Sequence, residues 1–217
     1  MFDHIFFDFD GTIMDTSPGI YDSFDRVIAH YKLEYPRSEY DRMIGPPLRE
    51  SFGNILNLPE SEIRNAIKVY RDYYSTEGMY NARLYDGVVE LIENLRKSGK
   101  KIYTATSKPE LFTRRILEKY ELDHLFDFIG GSDLEERGRV EKKDVVEYVV
   151  NTRKLSDNKE KCILIGDRKY DVVGAHEAGI KCAGILWGFG SREEFESCGA
   201  DFILETPSDV ETFLLQE

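Results

Sequence analysis

The chain has 217 residues, 41% of them hydrophobic, 12% aromatic and 32% charged. That is enough to bury a core without disulfide or metal staples, and it excludes disorder as the main state. Basic side chains number 29 and acidic ones 41, a formal charge of −12, which excludes a non-specific DNA or RNA binder but not a small anionic substrate held by a local lysine or metal ion.

No apolar run approaches the ~20 residues of a membrane span. The opening stretch MFDHIFFDFDG carries aspartates where a secretory signal needs positive charge, so the chain is expected in the cytoplasm, with no membrane partner. Cys162, Cys182 and Cys198 form no CxxC pair and no even disulfide framework; the first two read as core.

In chain order, the first strand is expected at residues 4–7. The next strand-like run does not arrive until residue 101. Between them the pattern is helical only, over residues 20–31, 37–43, 48–56 and 60–78, with Gly45-Pro46-Pro47 and Pro59 as breakers. This predicts an all-helical module over residues 16–82, inserted into a domain made of residues 1–15 and 83–217. The hinges fall near 15–18 and 82–87. Beyond the insertion, apolar runs at 102–105, 126–130, 161–165, 182–186 and 201–204 alternate with helical patterns at 88–98, 109–120, 144–152, 171–178, 192–198 and 208–215. Such alternation predicts an α/β fold, a Rossmann-like parallel sheet with right-handed crossovers.

In an open α/β sheet, ligands bind outside the carboxyl ends of the strands. The first run is followed by Asp8-Phe9-Asp10-Gly11-Thr12, the second by Thr106-Ser107-Lys108-Pro109, and the run at 161–165 by Gly166-Asp167-Arg168-Lys169-Tyr170-Asp171. Taken alone, Asp10-Gly11 also fits a plain turn, and Asp171 a helix cap. Four aspartates at neighbouring strand ends repel one another unless a cation lies among them. A hard divalent ion with carboxylate, water and phosphate oxygens fits that demand. Pro109 suits the first turn of a helix, with Ser107 or Lys108 as cap and free N–H groups for an anion. Lys142 and Lys143 stand at a helix start, where the macrodipole disfavours them; either serves to neutralise phosphate and carboxylate, and a solvated charge run is the bland alternative. Tyr70–Tyr74 reads as the core of the helical module. Trp187-Gly188-Phe189-Gly190 reads as a pocket rim or a simple loop.

These residues resemble the haloacid dehalogenase-like superfamily of hydrolases. The carriers are DFDGTIMD at 8–15, ATSK at 105–108, a lysine in VEKKD at 140–144 and GDRKYD at 166–171. Within it the chain is similar to the phosphoglycolate phosphatase-like group, whose helical cap matches residues 16–82; IGPPLRESF at 44–52 is typical of it. The resemblance implies a Mg²⁺-dependent phosphatase acting on a small phosphomonoester, phosphoglycolate-like or a nucleotide. It implies Asp8 as the nucleophile that forms an aspartyl-phosphate, and Asp10 as the acid and base. It implies Mg²⁺ on the Asp8 carboxylate, the Asp10 carbonyl and Asp167, with Asp171 acting through water. Thr106 and the N–H groups of Phe9 and Ser107 would bind the phosphoryl oxygens. Lys142, favoured over Lys143 by the register Lys-x-Asp-Val-Val, would stabilise the nucleophile. Arg49 would clamp a second anionic group of the substrate, or stand as an ordinary exposed arginine. The alternative is a phosphomutase of the β-phosphoglucomutase kind on the same scaffold. A signalling receiver domain is too short and lacks a helical insertion, and a dehalogenase fits the acidic set less well. Monomer and homodimer both remain open.

Overall fold

The computed structural model describes residues 1–135 and 137–216. In chain order its elements are β1 (His4–Phe7), β2 (Met14–Asp15), α1 (Ser17–Tyr31), α2 (Leu48–Glu50), α3 (Glu60–Tyr74), β3 (Arg83–Leu84), α4 (Val88–Lys97) and β4 (Lys101–Pro109). They continue with α5 (Glu110–Lys119), β5 (Phe128–Ser132), α6 (Lys142–Thr152), β6 (Cys162–Gly166), α7 (Lys169–Glu177), β7 (Lys181–Ile185), α8 (Arg192–Cys198), β8 (Phe202–Leu204) and α9 (Pro207–Gln216). The chain divides into two units, Met1–Met14 with Leu84–Glu217, and Asp15–Arg83. No helix among the described residues is long and apolar enough to cross a membrane.

In the first unit, six strands form one parallel sheet in the order β5-β4-β1-β6-β7-β8. Helices cover both faces, so β6, CILIG, is buried at every position and reads as a continuous apolar run rather than an alternating one. On one face Phe6, Tyr103, Leu164 and Cys182 meet Val145, Val146 and Val149 of α6, Val172 and Ala175 of α7, and Phe195 of α8. Strand alternation turns Ile5 and Phe7 to the opposite face. Right-handed crossovers bring α4 and α5 there, and α9 packs on α4. The α/β parallel sheet is the expected fold class.

Several boundaries differ from the periodicity reading, and each has a physical cause. β4 runs on to Pro109, because β5 continues to Ser132 and keeps pairing with it across an irregularity after Thr106. α6 begins at Lys142, two residues before the expected start: Glu141 is its N-cap, and the Asp144 carboxylate reaches back to accept the Glu141 N–H at 3.1 Å. α7 likewise begins at Lys169, with Arg168 as N-cap and the Asp171 carboxylate accepting the Arg168 N–H at 3.0 Å.

In the second unit, α1 and α3 close on an aromatic core. The Phe24 ring lies 5.3 Å from Tyr70, 5.8 Å from Tyr40 and 6.1 Å from Phe52, centroid to centroid. Tyr70 and Tyr74 stack at 5.3 Å, one helical turn apart. The single helix expected over 48–56 is instead α2 followed by a wider, π-type turn at Ser51–Ile55, and Asn57, at φ 55°, lies just beyond it. Residues 37–43 form a 3₁₀ helix.

Candidate active site

The sheet register brings the acidic strand ends together. Phe7 pairs with Thr104 on one side and Ile165 on the other. Asp8 therefore stands level with Ala105 and Gly166, and its N–H donates to the Ile165 carbonyl at 2.9 Å. Thr106 follows one residue further along β4, and Asp167 is the first residue beyond β6. From β1 the chain continues toward β4, from β6 toward β7, so β1 and β6 flank the point where the strand order reverses. A crevice opens outside the carboxyl ends at such a point. The turn that follows β1 is tight: the Phe9 carbonyl accepts from the N–H groups of Thr12, Ile13 and Met14 at 3.0–3.3 Å. Gly11 sits in it at φ 82°, a conformation L side chains rarely adopt.

Carboxylate oxygens of Asp8, Asp167 and Asp171 lie within 4.8 Å of one another, all buried. Among them reaches Lys142, 5% exposed, whose Nζ lies 2.7 Å from Asp8 Oδ1 and 2.7 Å from Asp171 Oδ1 and donates to the Ala105 carbonyl at 3.1 Å. Burial works against the lysine charge, but Asp171 and Asp8 outweigh it and hold its pKa above the ordinary lysine value. Among the described residues Asp167 has no such ion pair. Burial, and then the charges of Asp171 and Asp8, push its carboxyl well above the usual range. At this spacing each carboxylate pair costs about 3–4 kcal/mol at an effective dielectric of about 20.

Three carboxylates and one ammonium leave an excess of buried negative charge, and every donor is a hard oxygen. The donor set fits a hard divalent cation, which Asp8 and Asp167 would hold. Asp171 already serves Lys142 and the start of α7.

The structure brings together Asp8, Lys142, Asp167 and Asp171. Asp10 is outside the carboxylate group, its side chain turned to Lys108, whose Nζ lies 2.8 and 3.0 Å from its two oxygens. Thr106 is buried at the end of the apolar part of β4, and its hydroxyl accepts the Lys108 N–H at 3.2 Å. The Phe9 ring is fully buried, which leaves its backbone as the part able to meet a ligand. Ser107 is half-buried in β4. Two helix-cap expectations are corrected. Neither Ser107 nor Lys108 caps α5, because β4 carries the chain past both and Pro109 takes that position. Asp171 is the third residue of α7, not its cap. Arg49 belongs to the other unit, where it is ion-paired with Glu60.

Sequence reasoning missed three contributors. Lys108 enters the sequence reading only as a cap candidate and as the end of the ATSK motif; a lysine at the end of a buried strand is the available signal. Thr12 donates its hydroxyl to Asp167 Oδ1 at 3.1 Å, and the Phe189 N–H donates to Asp167 Oδ2 at 2.9 Å. Neither contact, across 155 and 22 residues of chain, leaves a local mark in the sequence.

A family model described as haloacid dehalogenase-like hydrolase matches residues 5–185. A 5'-nucleotidase of Pseudomonas aeruginosa is 34% identical over 195 residues, 89% of this chain and 87% of that protein. Tyrosine-protein kinase PtkA of Mycobacterium tuberculosis is 34% identical over 209 residues, 96% of this chain and 67% of that protein. Among solved structures, a predicted phosphatase from Clostridium acetobutylicum superposes with a TM-score of 0.95 at 33% identity, over the whole of both chains.

Proposed function

Since the chain belongs to the haloacid dehalogenase-like hydrolases, we propose that it is a Mg²⁺-dependent phosphomonoesterase working through an aspartyl-phosphate on Asp8. Phosphatase action on a small phosphate substrate follows from the family and from relatives such as the 5'-nucleotidase. The observation that carries the finer reading is the buried meeting of Asp8, Asp167 and Asp171 around Lys142.

In this reading an Asp8 oxygen attacks phosphorus, and the bond to the leaving oxygen breaks as Asp10 gives that oxygen its proton. Asp10 then takes a proton from water, whose oxygen attacks phosphorus; the bond to Asp8 breaks and phosphate leaves. Lys142 holds the nucleophile and spreads positive charge toward the transferring group, whose barrier falls mainly through electrostatic stabilisation. Thr106 and the N–H groups of Phe9 and Ser107 receive the phosphoryl oxygens. Lys108 positions the Asp10 carboxylate. Asp8, the Asp10 carbonyl and Asp167 would hold Mg²⁺, with Asp171 supporting through water; the bound ion neutralises the charge that keeps a carboxylate and a phosphate apart. The helical unit is assigned the role of a cap, and Arg49 that of a clamp for a second anionic group, phosphoglycolate or a nucleotide being the substrate class.

The test is a screen of phosphate esters for released phosphate, with Mg²⁺ and with EDTA, beside Asp8→Asn. Wild type should turn over several esters, stop in EDTA, and leave the variant at less than about 1% of its rate, since losing a covalent nucleophile costs several orders of magnitude. Retention of more than a few per cent by Asp8→Asn rejects Asp8 as nucleophile. Full turnover in EDTA rejects the cation.

A further inference from the structure

Asp167 is fully buried and, among the described residues, is the carboxylate of the cluster with no cationic side chain in ion-pair contact. Its direction is instead set by two neutral donors on separate segments: the Thr12 hydroxyl to Oδ1 at 3.1 Å and the Phe189 N–H to Oδ2 at 2.9 Å. The two segments are joined by a third bond, from the Trp187 indole Nε1–H to the Thr12 carbonyl at 3.0 Å. They approach too closely for side chains between them. A Cβ on Gly188 would lie 2.3 Å from the Asp167 Cβ and 2.5 Å from the Gly11 carbonyl oxygen, and one on Gly11 2.2 Å from Asp167 Oδ2. Each carboxylate oxygen has two lone-pair directions; one donor at each leaves one for a cation.

We infer that Trp187 and Thr12 are positioning residues: the indole–carbonyl bond fastens the Trp187–Gly190 loop to the turn after β1, and this clamp orients the Asp167 carboxylate for a hard divalent cation. The inference rests on the cation reading above and extends it to residues that do not touch the ion. Hydrogen bonds to the back of a metal-ligating side chain are worth about 10–100-fold in metal affinity or activity. The loop has a built-in reporter, because Trp187 is the one tryptophan of the chain.

The experiment titrates Mg²⁺ alone into the full chain by calorimetry, for wild type, Trp187→Phe, Thr12→Val and Thr12→Ser, with indole emission followed in parallel where Trp187 is kept. Circular dichroism in EDTA certifies that each variant is folded. Wild type should bind saturably, its emission changing with the same midpoint. Trp187→Phe keeps the ring bulk but loses the donor, and should bind Mg²⁺ about tenfold more weakly. Thr12→Val should do the same, while Thr12→Ser, which keeps the hydroxyl, should bind within about twofold of wild type. Folded Trp187→Phe and Thr12→Val that bind as tightly as wild type overturn the clamp while leaving the cation reading intact. Absence of Mg²⁺ binding by wild type overturns both. Should Trp187→Phe not fold, the contrast between valine and serine at position 12 decides.

Discussion

A buried carboxylate held by two neutral hydrogen-bond donors, with no ion pair, is a burden to the folded chain until a cation arrives. Among the described residues Asp167 is in that position. Its folded-state pKa is raised, so its favourable contribution is complete only below the ordinary aspartate value and is lost as pH rises through the folded one. At neutral pH without metal, its burial opposes folding. Asp167→Asn should therefore stabilise the metal-free chain at pH 7, by roughly 1–3 kcal/mol on the scale of a relieved buried charge, at about 2–4 °C in Tm for each kcal/mol. The same substitution should remove any rise in Tm on adding Mg²⁺. Thermal melts in EDTA and in Mg²⁺ measure both, and a lower Tm in EDTA contradicts the account. At this scale the sequence was legible where chemistry follows an apolar run directly, as at Asp8 and Asp167. It was less so where helix phase decides. Lys142 and Lys143 are adjacent; the register Lys-x-Asp-Val-Val favours Lys142, and the start of α6 there buries that lysine against Asp8. The bond that Trp187 makes leaves no local mark, because its partner lies 175 positions away.

At the scale of elements, Asp127, just before β5, ties α4 to β4. Its carboxylate accepts the Ile102 N–H at the start of β4, an Arg96 guanidinium N–H from α4 at 3.0 Å and the Lys101 ammonium at 3.2 Å. Burial alone would raise its pKa; the Ile102 N–H, Lys101 and Arg96 overcome that and lower it. The stabilisation it gives is thus present above about pH 4 and fades as pH falls through the depressed value. Asp127→Ala should cost roughly 1–3 kcal/mol at pH 7, as for hydrogen bonds to a charged group, and the gap to wild type should narrow below pH 4. Denaturant melts at both pH values check this; a gap independent of pH counts against it. Element existence was read from periodicity, whereas ends went astray wherever a side chain reaches back along the chain. Asp144 and Asp171 sit three residues past the caps they serve, so the patterns suggested starts two residues late. The polar Thr-Ser-Lys-Pro suggests an early end to β4, yet the partner strand β5 keeps pairing with it. Gly131 of β5 makes room: a Cβ there would lie 2.7 Å from the Glu110 backbone.

For the whole molecule, the alternation of strand and helix patterns pointed to the parallel α/β class, and the long interval without strand signals marked the helical unit. The lateral order β5-β4-β1-β6-β7-β8 was out of reach, since it depends on which strands meet across long stretches of chain. That order has a temporal consequence. β1 lies in the interior of the sheet, yet both strands it pairs with come later in the chain. A polypeptide emerging from the ribosome carries β1 unpartnered until β4 and then β6 have left the tunnel, whereas Asp15–Arg83 holds all it needs for its aromatic core. Contacts close in sequence form sooner than distant ones. Pulse-labelled hydrogen exchange during refolding should accordingly protect amides of α1 and α3 before those of β1 and β6, and simultaneous protection would argue for a single cooperative step. The strand that leads into Asp8 is the first made and among the last secured, so the acidic centre assembles only when the rest of the sheet is already on hand.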